Sequence, residues 1–126
     1  MKRVLIADDS QMARTIIRRC LQIAGGRDWE FQEAANGELA LAALRESPFD
    51  LLVTDLNMPV MDGIGLLRRI RASPKLAALS VLVVTSDSGS ATSEELTSSG
   101  ADAILFKPLS PSRVAAVLAQ LGGGAR

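Results

Sequence analysis

The sequence predicts an α/β fold, a five-stranded parallel sheet flanked by five helices. Two patterns carry that prediction. Four short runs dense in Val, Ile, Leu and Ala, at residues 4–7, 51–53, 81–84 and 103–106, show little polar alternation. Runs of this kind suit strands buried on both faces, as in a parallel sheet covered by helices. Segments of helical period separate them, so five βα units share the 126 residues at about 25 each, the size of a strand plus its crossover helix.

Each element has its own signal. The first run, Val4-Leu5-Ile6-Ala7, leads to Ser10, a helix N-cap. That helix is expected to run to about residue 24, with Ile16, Cys20 and Ile23 inward beside Ala13 and with Arg14, Arg18 and Arg19 turned to solvent. Gly25-Gly26 ends it. In a weaker strand at 29–34, Trp29 and Phe31 alternate with Glu30 and Gln32. Asn36 caps a second helix, from Gly37 to about residue 46, with Leu41 and Leu44 inward; Ser47-Pro48 stops it. A third helix, about 63–72, puts Ile64, Leu67 and Ile70 inward and Arg68, Arg69 and Arg71 outward, with Pro74 beyond. Residues 86–99 are rich in Ser and Thr, and Leu96 is their only large apolar residue. They read as a helix of low intrinsic stability beginning near Ser90. Ser110 caps the last helix, with Pro111 in its first turn and Val114, Val117, Leu118 and Leu121 inward. Gly122-Gly123-Gly124 opens a flexible tail, so a single domain is expected over 1–121 and a tail over 122–126.

Composition narrows the chemistry. Lys plus Arg and Asp plus Glu are 14 each, a balance that argues against a mainly electrostatic nucleic-acid binder. One Cys excludes an internal disulfide framework and a Cys-rich zinc site. With no His, imidazole metal sites, Ser-His-Asp catalysis and a phosphohistidine on this chain are also excluded. The apolar stretch before Asp8 is too short for a signal peptide or a membrane span, which points to a cytoplasmic protein. Carboxylates, hydroxyls and lysines remain.

Ligands of such sheets sit at the carboxyl ends of the strands. Asp8 and Asp9 follow the first run, Asp55 and Asn57 the third, Thr85 the fourth, and Lys107-Pro108 the fifth. Taken singly, each Asp has an ordinary explanation as a turn or cap residue. The set together points to an all-oxygen site for a hard divalent cation, Mg²⁺ or Mn²⁺, beside a phosphoryl-transfer centre. Asp55 would be the carboxylate nucleophile, and Thr85 and Lys107 would bond the phosphoryl oxygens. The loop after Asp55 is not a calcium loop, since Pro59 and Val60 stand where an EF-hand needs a ligand and a glycine. No G-x-G-x-x-G or G-x-x-x-x-G-K-[ST] follows any strand.

The residues VLIADDS, DLLVTDLNMPVMDGIGLL, VVTSD and GADAILFKP, correctly spaced over essentially the whole length, resemble a response-regulator receiver domain of the chemotaxis-regulator type. The resemblance implies strand order 2-1-3-4-5. It implies Asp55 as phosphoacceptor, and Asp9 directly and Asp8 through water on Mg²⁺, with the Asn57 main-chain carbonyl completing the protein ligands. It further implies Thr85 as the switching hydroxyl, Lys107 on the phosphate, and Pro108 after a peptide bond that is cis in many relatives. The phosphoryl donor would be a sensor histidine kinase or a histidine phosphotransfer protein. The target would dock on helix 4, strand 5 and helix 5, with no nucleic acid or membrane contacted. Such a domain is a switch and no enzyme beyond its own phosphorylation and dephosphorylation. Asn57 and Asp87 would flank the hydrolytic water. The family's aromatic switch position is Ile104 here, so the switch would rest on Thr85 and residues 86–99, with Phe106 a strand core residue. Two alternatives stand beside this reading: a receiver cut from a larger regulator with its own output domain, and an aspartyl-nucleophile phosphatase of the haloacid-dehalogenase type.

Overall fold

The computed structural model describes residues 2–26, 28–86 and 93–123. Strands and helices alternate along the chain: β1 (Arg3–Ala7), α1 (Gln11–Ala24), β2 (Glu30–Ala34), α2 (Gly37–Glu46), β3 (Leu51–Thr54), α3 (Gly63–Ala72), β4 (Ser80–Thr85), α4 (Ser93–Ser98), β5 (Ala103–Phe106) and α5 (Pro111–Gly123). The five strands form one parallel sheet in the order β2-β1-β3-β4-β5, so the expected fold class and order are borne out.

Because strand side chains alternate between faces, the sheet supports two cores. Leu5, Ala7, Leu52, Val81 and Val83 pack under α2, α3 and α4, meeting Leu41, Leu44, Leu66, Leu67, Ile70 and Leu96. Val4, Ile6, Val53, Leu82 and Val84 pack on the other face against Ile17, Cys20 and Leu21 of α1 and Val114 of α5. β2 is an edge strand, and its exposed and half-buried residues alternate accordingly. Side-chain caps fix the helix starts. Ser10 accepts from the Ala13 N–H at 3.2 Å, Asn36 from Leu39 at 2.8 Å and Asp62 from Gly65 at 2.8 Å.

Several side chains depart from the expected faces. The inward stripe of α1 is Ile17, Cys20 and Leu21, whereas Ile16 and Ile23 are exposed. The stripe at 17, 20, 21 and 24 satisfies the same helical spacing, and only packing chooses between the two. Arg14 is not solvated: it bonds Glu33 at 2.8 Å with its side chain 15% exposed. Arg18 also reaches Glu33, at 2.7 Å, while Arg19 is exposed as expected. In α3, Leu66 is buried with Leu67 and Ile70, and Ile64 is only partly covered. Arg71, expected outward, spans carbonyls of Ala77, Leu79 and Gly100 and bonds Asp102 at 2.8 Å. Phe106 is half-buried, because β5 has a neighbour on one side only. Helix α5 extends to Gly123, two residues into the expected tail. The expected helix start near Ser90 lies outside the described residues.

Candidate functional site

The site forms where β1, β3, β4 and β5 end. Asp8 and Asp9 leave β1, Asp55 leaves β3, Thr85 closes β4, and Lys107 follows β5. Main-chain bonds set these ends level: the Asp8 N–H donates to the Ala34 carbonyl at 3.1 Å, Asp55 to Ala7 at 2.9 Å, and Lys107 to Thr85 at 2.9 Å. Residues remote in sequence therefore meet because parallel strands end together.

Carboxylate oxygens of Asp8, Asp9 and Asp55 lie within 4.8 Å of one another. Asp8 and Asp55 are buried, and Asp9 is exposed at the mouth. Lys107 Nζ stands 3.2 Å from Asp8 Oδ2 and 3.6 Å from Asp55 Oδ2. Asp8 Oδ1 accepts from the Ser10 N–H at 2.9 Å, and Asp55 Oδ1 from the Leu56 N–H at 2.7 Å. Burial pushes the Asp55 carboxyl above the usual carboxylate range, and the nearby Asp8 adds to the rise. The Leu56 N–H, Lys107 and the Asn57 N–H oppose it. Three carboxylates face one ammonium, so the cluster has anionic capacity left over. Its donors are all oxygen, and the residues present fit a hard divalent cation such as Mg²⁺.

The loop after β3 is shaped around Asp55. A Cβ on Gly63 would stand 2.4 Å from the Asp55 carbonyl oxygen, so only glycine lets the start of α3 close on that carbonyl. The Gly63 N–H instead donates to Leu56 at 2.8 Å. The buried Thr54 hydroxyl donates to the same Asp55 carbonyl at 2.9 Å. Val60 sits at φ 70 with its side chain exposed, a left-handed conformation that is costly for a β-branched residue. Asn57 is exposed, two residues beyond Asp55. The Lys107–Pro108 bond is cis.

The structure thus brings together Asp8, Asp9, Asp55 and Lys107, four of the residues singled out in the sequence, and buries Thr85 at the end of β4 with its carbonyl bonded to the Lys107 N–H. Ile104 is partly buried against the core that holds Leu96. Asp87 lies outside the described residues. Sequence reasoning missed Arg14, Glu33 and Thr54. The helical period placed Arg14 outward, and nothing local reveals that the edge of β2 offers it a carboxylate.

An acidic cluster with two buried members and one lysine, at the carboxyl end of a 2-1-3-4-5 parallel sheet, is the arrangement of a class of signalling domain. The description "Response regulator receiver domain" matches residues 4–119, and the chain belongs to that family. It is 38% identical over 122 residues to the two-component response regulator ORR41 of Oryza sativa subsp. japonica, covering 95% of this chain and 94% of the relative. Chemotaxis protein CheY of Pseudomonas aeruginosa is 40% identical over 106 residues, 84% of each chain. The structure of the chemotaxis response regulator CheY4 of Vibrio cholerae superposes with a TM-score of 0.83 at 31% identity, covering 96% of this chain and 98% of that one. The domain also occurs inside larger proteins. The sensor protein EvgS of Escherichia coli matches at 35% identity over 118 residues, 94% of this chain and 9% of EvgS.

Proposed function

We propose that this chain is a phospho-accepting switch in which Asp55 takes a phosphoryl group from a phosphohistidine on a partner. One observation carries the reading: three carboxylates lie within 4.8 Å of one another, and the Lys107 ammonium pairs with two of them, Asp8 at 3.2 Å and Asp55 at 3.6 Å. A carboxylate oxygen of Asp55 attacks phosphorus, the P–N bond of the phosphohistidine breaks, and its electron pair leaves with the imidazole. The product is an acyl phosphate on Asp55. Lys107 exchanges its contact with Asp8 for a phosphoryl oxygen, and the Thr85 hydroxyl takes another. Asp9 and Asp55, with Asp8 and the Asn57 main-chain carbonyl, would hold a divalent cation, Mg²⁺ or Mn²⁺, which would supply charge neutralisation at the phosphoryl oxygens. Return follows when water attacks phosphorus, releasing inorganic phosphate and the Asp55 carboxylate. Asn57 and Asp87 set the lifetime, so substituting either should change the rate of dephosphorylation.

The donor is a sensor histidine kinase or histidine phosphotransfer protein. The domain works in the cytoplasm, and no helix among the described residues is long and apolar enough to cross a membrane. Phosphorylation shifts a two-state equilibrium read by a target on α4, β5 and α5. Ile104 offers no ring, so the shift is carried by Thr85 and residues 86–99. A phosphatase acting on external esters is disfavoured, since Asn57 replaces the second acid of Asp-x-Asp and the described residues form no substrate cap.

Incubation with Mg²⁺ and acetyl phosphate, read by intact mass, tests the reading. Wild type should gain one phosphoryl group and Asp55→Asn none. No gain in wild type, or an equal gain in the variant, would overturn it.

A further inference from the structure

We infer that Arg14 is a positioning residue for the metal-binding acids, locking the peptide that joins Asp8 to Asp9. The inference rests on the divalent-cation reading of the Asp8, Asp9 and Asp55 cluster. Arg14 Nη1 donates to the main-chain carbonyl of Asp8, and its Nε donates to Glu33 Oε1 at 2.8 Å. The other oxygen of Glu33, Oε2, is held by Arg18 at 2.7 Å. Arg18 in turn lies over the Phe31 ring, 5.7 Å from its centroid. The guanidinium of Arg14 is therefore fixed from the edge strand and fixes the metal turn. On the opposite side of that turn, the Asp8 N–H is tied to Ala34 of the same edge strand at 3.1 Å.

The carbonyl that Arg14 grips belongs to the Asp8–Asp9 peptide plane. Its orientation sets the directions in which two carboxylates leave the chain: Asp8 inward and buried, Asp9 outward at the mouth. Partners behind metal-ligating groups orient them and strengthen binding. The contact is charge-assisted and part-buried, so it is of the stronger kind.

Electrostatics alone predict the opposite sign. Removing a positive charge beside an acidic cluster should tighten cation binding, whereas loss of positioning should weaken it. Calorimetric titration with MgCl₂ on the intact chain separates the two. Arg14→Met is expected to bind Mg²⁺ about tenfold more weakly than wild type. Arg14→Lys keeps the charge but cannot reach Asp8 and Glu33 together, and should show most of the same loss. Arg18→Met touches Glu33 but not Asp8, and should stay within about twofold, in keeping with a role one contact further out. Glu33→Gln should weaken binding in wild type and change nothing further in Arg14→Met, since it acts only through Arg14. If Arg14→Met does not fold, Arg14→Lys and Glu33→Gln decide the matter. Unchanged or tighter binding in the Arg14 variants, with wild type binding Mg²⁺, would overturn this inference alone. Failure of wild type to bind Mg²⁺ would instead remove the divalent-cation reading, and this inference with it.

Discussion

Burial governs Asp55, the proposed phosphoacceptor. Its carboxyl sits above the ordinary range mainly because it is desolvated. A group whose folded pKa is raised stabilises the fold at pH below its unfolded value, about 3.9 for Asp. That contribution is lost as pH rises through the folded pKa. At neutral pH an ionised Asp55 therefore weakens the metal-free fold. Asp55→Asn is expected to unfold at higher urea than wild type at pH 7 in EDTA, with the gap closing toward pH 4. Paired urea titrations check this, and a gap that is constant with pH would contradict it. At this scale the sequence was legible where residues are tied to strand ends: Asp8, Asp9, Asp55, Thr85 and Lys107 were all visible. Arg14 was not, because its partner Glu33 belongs to a strand and lies 19 residues away, and its helical position alone suggests solvent.

The elements show why pattern reading works for strands better than for helix faces. A strand buried on both sides has no face to misassign, and β1, β3, β4 and β5 fell within a residue or so of expectation. Helix α1 offers two apolar stripes, and the sheet selects the one at Ile17, Cys20 and Leu21. Met12, Ile16 and Ile23 are left exposed. Among the described residues helix α4 spans six, Ser93–Ser98, too few to hold themselves, and Leu96 is their buried anchor. Leu96→Ala should cost about 2–5 kcal/mol by urea unfolding. It should also speed amide exchange at 93–98 before the rest of the chain. Exchange that rises evenly across all helices would show that α4 is not independently anchored. Arg71 braces the strand that follows, binding Gly100, where φ is +115, and Asp102.

For the whole molecule, the regular βα alternation made the architecture readable, and the strand order came with the family resemblance. What the sequence could not supply was the lateral bracing by arginines, which depends on how neighbouring elements lie. Metal binding and global stability are linked, because the acids converge only when the sheet is assembled. At Mg²⁺ concentrations 100-fold above its dissociation constant, the fold should gain about 2.7 kcal/mol. Urea unfolding with Mg²⁺ and with EDTA measures the difference, and Asp9→Asn should abolish most of it. An equal gain in that variant would place the ion elsewhere.

The pairing of Lys107 with Asp8 joins residues 99 apart in the chain. The end of the first strand supplies two acids at once, but the ammonium that pairs with Asp8 emerges only with the fifth strand. A chain that ends between residues 55 and 107 carries Asp55 without its lysine. With Asp55 as phosphoacceptor, competence to receive a signal would arrive late and all together, and unfinished copies would stay silent.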